Sequence, residues 1–220
     1  MKKLLFITVI MASLGAAAQS DKFTSAMQPK VVAIDTTRTV EGLKSLANAF
    51  ERIADAEKTQ WLPYYYAALA NVNSGTFLMN TGNPMAGGMT GVLDPIADKA
   101  ESLIVKAEAL SKDNSEIWVV KKLIATLRMM GDPMSRYMQY GPQAQQALET
   151  ARKLNPANPR VDLLEGQDKF YTPEQFGGSK TEAKKLFEEA VKKFDAAKPA
   201  SSIDPSWGRG TAQYFLSQVK

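Results

Sequence analysis

The chain has no cysteine and no histidine in 220 residues. Without cysteine there is no disulfide framework, no thiolate nucleophile and no cysteine-ligated zinc or iron–sulfur cluster. Without histidine there is no histidine-ligated metal, no Ser-His-Asp triad and no side chain that ordinarily titrates near neutrality. Enzyme chemistry is thereby reduced to carboxylate, Lys, Tyr, Ser or Arg, and no activating constellation of these is visible. Asp55 with Glu57, or Glu182 with Glu188, could be offered as a glycosidase pair, but neither sits in a motif. The chain therefore reads as a non-enzyme. Also missing after the N-terminus is any apolar run long enough to span a bilayer, about 20 residues.

What is present at the N-terminus is a basic start, Met1-Lys2-Lys3, an apolar run from Leu4 to Leu14, and Ala16-Ala17-Ala18. These are the three parts of a secretory signal peptide. The expectation is cleavage after Ala18 and an exported protein of residues 19–220, one domain, in the periplasm or outside the cell. Loss of Lys2 and Lys3 lowers the formal charge from +4 to +2, which removes most of the argument for nucleic-acid binding.

The rest reads as helix throughout, with apolar residues recurring at spacings of three and four. A first helix runs from near Lys22 through Val31–Ile34, and Thr39 is placed to cap the next. One pattern, Ala-x3-apolar-x2-Ala, recurs as Ala49-Ile53-Ala56, Ala100-Ile104-Ala107, Ala144-Leu148-Ala151 and Ala183-Phe187-Ala190. Four- and three-residue steps place all three positions on one helical face. The small residues admit a neighbouring helix and the larger one fills the groove between them. Each copy is followed by a polar break and a second helix rich in bulky residues: Trp61–Leu78, Ile117–Met130, Val161–Tyr171 and Trp207–Val219. Gly131-Asp132-Pro133 ends one helix, and Tyr140-Gly141-Pro142 is expected to precede the next. Residues 172–179 form a further connection, in which Phe176 is expected to tuck against the adjacent helices.

This row of helix–turn–helix units resembles the tetratricopeptide repeat (TPR) family. Ala144, Leu148, Ala151 and Pro156 fit that family's Ala-x3-Phe-x2-Ala-x4-Pro spacing, with Leu in the Phe place, and Gly166 stands where the next repeat has its Gly. The starting alanines Ala49, Ala100, Ala144 and Ala183 lie 51, 44 and 39 residues apart, against a TPR period of about 34. Phe50-Glu51-Arg52-Ile53-Ala54, Trp61-Leu62-Pro63-Tyr64-Tyr65-Tyr66, Asn158-Pro159-Arg160, Tyr171-Thr172-Pro173-Glu174-x-Phe176-Gly177-Gly178 and Pro205-x-Trp207-Gly208 are similar to a family of secreted TPR-like proteins of Gram-negative bacteria. That resemblance implies fold and compartment, and no particular activity. The expected fold is all-α: a TPR-like right-handed α-solenoid of about four helix–turn–helix units plus a leading helix.

The candidate contact residues are aromatic. Consecutive helical residues point about 100° apart, so Tyr64, Tyr65 and Tyr66 cannot all face one core, and one of them is expected to reach a surface or groove beside Trp61. Tyr137, Met138 and Tyr140 form a second candidate segment. Against both stands ordinary helix packing. Met85-x3-Met89 and Met130-x3-Met134-x3-Met138 have the spacing of thioether copper(I) sites. With no His or Cys to complete such a site, adaptable packing or a promiscuous partner surface is the better reading, and no metal or cofactor is assigned. Gly82–Gly91 lacks the Gly-Lys-Ser/Thr ending of a phosphate loop. Lys180, Lys184, Lys185, Lys192 and Lys193 alternate with Glu182, Glu188 and Glu189, as on a solvated helix face.

Two functions follow. One is a non-catalytic scaffold or adaptor that binds a protein or peptide segment in a concave groove. The other is a cell-envelope carbohydrate- or small-ligand-binding protein that uses the Trp61/Tyr64–Tyr66 aromatics. Neither involves nucleic acid or a membrane span.

Overall fold

Capping chemistry sets the helix boundaries. In the computed structural model, which describes residues 21–81 and 88–219, the Thr39 hydroxyl accepts a hydrogen bond from Gly42 N, Asn114 from Glu116 N, Asn158 from Arg160 N and Ser179 from Glu182 N. Each satisfies one of the amide donors a helix start leaves open. Among the described residues there are nine α-helices and no strand: α1 (residues 21–34), α2 (Val40–Ala56), α3 (Trp61–Thr81), α4 (Thr90–Leu110), α5 (Ser115–Gly131), α6 (Pro133–Leu154), α7 (Pro159–Tyr171), α8 (Lys180–Ala196) and α9 (Arg209–Gln218). The fold is all-α. The signal-peptide segment lies outside the described residues, as do Met85 and most of the glycine-rich loop. No helix among the described residues is long and apolar enough to cross a membrane.

From α2 onward each helix packs chiefly on its chain neighbours, with added contacts of α3 on α5 and of α7 on α9. The result is a row of helix hairpins. Its interior runs in three linked parts: α1 to α5, then α5 to α7, then α7 to α9. Two glycines set how closely helices approach. A Cβ on Gly75 would stand 2.9 Å from Leu127, and one on Gly166 would stand 2.6 Å from the Phe187 ring. Any larger residue would push α3 off α5, or α7 off α8.

Three of the four alanine triplets lie in the core: Ala100-Ile104-Ala107, Ala144-Leu148-Ala151 and Ala183-Phe187-Ala190 are all buried. The first does not. Ala56 is exposed, and α2 instead buries Ala47, Phe50 and Ala54. The spacing there runs three then four, the reverse of the other copies. Phe50 sets it, because its ring stacks on Tyr66 at 5.1 Å and that aromatic contact outweighs the alanine pattern. The expected break at Tyr140-Gly141-Pro142 is also absent. Asp132 caps α6 and Pro133 occupies its first turn, so the helix begins there and Pro142 lies inside it. Having no N–H, Pro142 leaves the Met138 carbonyl without its helical donor.

Residues 199–208, between α8 and α9, cross back over the first half of the row. Ile203 is buried with α3, Tyr66 donates its hydroxyl hydrogen to Ile203 O (3.0 Å), and Trp207 Nε1 donates to Tyr65 Oη (2.8 Å). This return ties the end of the chain to its beginning.

Candidate functional site

The aromatic cluster on α3 is core. Tyr64, Tyr65 and Tyr66 are all buried, so the expectation that one reaches a surface fails. The 100° argument assumes a helix with one free side. This helix is covered all round, by α2, α4, α5 and the 199–208 return, as befits a helix apolar on every face. The hydroxyls are used internally. Tyr64 donates to Ala54 O, and Tyr65 donates to Glu116 Oε2 at 2.8 Å. Glu116 Oε1 also accepts from Asn158 Nδ2 (2.8 Å) and Arg160 Nη1 (3.0 Å). Burial, with the Glu116 charge adding to it, holds the Tyr65 phenol well above its ordinary pKa, so it stays a neutral donor. Trp61 is half-buried, edge-on to Tyr65 at 5.5 Å.

The second segment behaves differently. Tyr137 is 59% exposed and Met138 82%. Both line a groove of about 540 Å³ together with Met129, Pro142, Lys169 and Phe176, within the usual size of small-molecule sites, about 300–1,000 Å³. Three helices and a loop build it. The end of α5 supplies Met129, and the first half of α6 supplies Tyr137, Met138, Gly141 and Pro142. The last turns of α7 supply Glu165, Asp168 and Lys169, and the 172–177 connection supplies Thr172 and Phe176. The opening exists because α6 packs closely on α5 and only slightly on α7, which turns to α8 instead.

Its charged rim is paired. Lys122, itself buried, reaches Asp168 at 2.8 Å. Arg152 bridges Asp162 and Glu165. Lys169 meets Glu182 at 2.7 Å and donates to Gly177 O at 3.3 Å. The Glu182 hydrogen bond holds the Lys169 ammonium above its ordinary pKa and the Glu182 carboxyl below its own. Tyr140, the remaining candidate, lies outside the groove with its ring 5.9 Å from the Arg136 guanidinium. Phe176 does not tuck in as expected. It is 70% exposed at the groove's edge, on a single 3-10 turn that Gly177 ends in a left-handed conformation (φ 91°).

Met130 and Met134 fall on different helices, so their four-residue spacing puts no common face together; Met134 and Met138 do share the exposed face of α6. Among the described residues no cluster of carboxylates suited to a metal ion occurs. On α8, Lys192 pairs with Glu189 and Lys193 reaches across to Asp162 of α7. Sequence reasoning named Tyr137 and Met138 but not Phe176, Lys169 or Met129 as groove residues. The one signal for Phe176 was a lone aromatic between Pro173 and Gly177-Gly178, with no apolar partner in its own segment. Lys169 carried none.

The fold is thus an all-α row of helix hairpins with a groove of mixed apolar and charged lining on one flank. No family model and no curated protein matches the chain. Among solved structures it is similar to the HusA haemophore from Porphyromonas gingivalis, with 34% identity over 90% of this chain and 92% of that one, and a TM-score of 0.77. The chain belongs to the same family as that haemophore.

Proposed function

We propose that this protein is an exported, non-catalytic carrier of haem or a closely similar flat macrocycle, held in the groove between α5, α6 and α7. The observation that carries the reading is the groove itself: Met129, Tyr137, Met138 and Phe176 present apolar and aromatic surface at an opening of about 540 Å³. Kinship with a haemophore supports it. The side-chain chemistry fits a porphyrin. Flat apolar faces favour aromatic and thioether contacts. Of the residue types that bind haem iron in proteins, Met and Tyr are the ones this sequence contains, and both are in the groove. The signal-peptide pattern of residues 1–18 supports export.

This reading takes the small-ligand alternative over the peptide adaptor, and moves it from the α3 aromatics to Tyr137 and Met138. The test is an absorbance titration of haem with the chain of residues 19–220. The expected result is a saturable shift in the haem spectrum at one site, weakened by Tyr137→Ala with Met138→Ala. Absence of any shift, or a shift indifferent to both substitutions, would remove the groove from consideration. A glycan in the same groove would bind the wild-type chain while haem does not.

A further inference from the structure

We propose that Lys169 reads an acidic group on the ligand, so that the groove selects carboxylate-bearing macrocycles over their neutral esters. The inference rests on the haem reading above and adds what the polar edge of the site recognises. Of the described residues lining the groove, Lys169 carries the one positive charge. Two carboxylates line it as well, and each already has a cation that reaches it from outside the groove. Asp168 is held by Lys122, whose side chain is only 3% exposed, and Glu165 by Arg152, which Asp162 anchors as well. The first pair is built into the helix packing through the buried Lys122, and the second is partly exposed but anchored by Arg152's further bond to the buried Asp162.

The Lys169 pair is of another kind. Its partner Glu182 sits on α8, outside the groove, with 56% of its side chain exposed, and Lys169 itself is 33% exposed. An exposed pair of this sort holds little free energy against water, so a ligand carboxylate that arrives with its apolar body already buried can take the ammonium from it. The second present partner, Gly177 O at 3.3 Å, belongs to the connection that carries Phe176. The acidic group and the aromatic edge of the site therefore meet at one lysine.

The propionates of haem are carboxylates of this class, and its dimethyl ester has the same macrocycle without their charge. The experiment titrates haem and haem dimethyl ester, both added from dimethyl sulfoxide, into the wild-type chain, Lys169→Gln and Glu182→Gln. The wild type is expected to bind haem about fivefold more tightly than the ester, the scale of one partly exposed charge-assisted hydrogen bond. Lys169→Gln should lose that preference by weakening haem alone. Glu182→Gln, which frees Lys169, should tighten haem about twofold and leave the ester unchanged. Lys169→Gln that weakens both forms equally, or leaves the preference intact, would overturn the proposal. So would Glu182→Gln that weakens haem. Failure of both forms to bind the wild type would overturn the haem reading itself, a result distinct from binding both without discrimination, which removes only the role of Lys169.

Discussion

The helices α3 and α6 carry similar side chains to opposite ends. From Trp61 to Val72, α3 has three tyrosines and no charged residue, and from Leu62 to Ala70 every one of its residues is buried. The first turns of α6 hold Met134, Tyr137 and Met138 between Ser135, Arg136 and Gln139, and those three large side chains are exposed. The difference lies in the residues between. An unbroken apolar run asks for cover on every side, and α2, α4, α5 and the 199–208 return supply it. Large side chains spaced by polar ones leave a helix half out of the core, and half out is where a ligand can reach. In this protein the dense aromatics of α3 mark packing, and Tyr137 on a polar helix marks the groove.

The largest expected effect would break the packed side of that contrast. Tyr66 is fully buried, stacked on Phe50 and bonded to Ile203 O. Tyr66→Ala should cost about 3–5 kcal/mol, read as a large fall in the thermal midpoint by circular dichroism. A midpoint within a degree of wild type would mean that α3 is not the packed centre. Next comes Ala151→Trp. Ala151 is completely buried, and its carbonyl accepts the Ser115 hydroxyl at 2.8 Å. Overpacking there should cost about 1–3 kcal/mol or more, and an unchanged chemical-denaturation midpoint would show that the α6 register is misplaced.

The exposed side is sharpened by smaller effects. Tyr137→Ala with Met138→Ala should lower haem affinity about tenfold, the scale of a contact hot spot. Their effect on stability should stay within about 0.5 kcal/mol per surface substitution. A loss of stability as large as that from Tyr66→Ala would erase the distinction between the two helices. The smallest effect concerns how α6 is moored. Arg136 grips Asp94 of α4 through two hydrogen bonds, at 2.6 and 2.8 Å, and these hold the Asp94 carboxyl below its ordinary pKa. A lowered native value means that the stabilisation is complete above the unfolded pKa, about 3.9, and is lost as pH falls through the lower native one. Asp94→Asn should therefore cost about 0.5–1 kcal/mol at pH 7 and distinctly less near pH 3. An equal cost at both pH values would assign the effect to shape rather than charge.

Periodicity made the row of helices legible, because buried Ala and bulky residues must repeat wherever one helix lies on the next. The capping residue Thr39 was legible for a local reason, while Gly166 stood out only through the resemblance to the TPR pattern. The α2 register was not, since Phe50 competes with the alanine pattern and wins through a partner, Tyr66, on another helix. Nor was the continuity of α6, where the cap at Asp132 outweighs a proline ten residues on. The groove was half legible. Tyr137 and Met138 stand out on a polar helix, while Lys169 and Phe176 acquire meaning only when α7 turns toward α8 and leaves α6 uncovered. The return of residues 199–208 over α3 joins positions more than a hundred residues apart, and no local pattern encodes it.

The most direct test places haem among the methionines. With methyl-labelled methionine, the iron of added haem should broaden the Met129 and Met138 methyl signals first. The signal of Met27, fully buried in the core of the first half of the row, should persist unchanged. Early loss of the Met27 and Met79 signals, with Met129 and Met138 untouched, would place the ligand on the α3 side of the molecule and contradict the account.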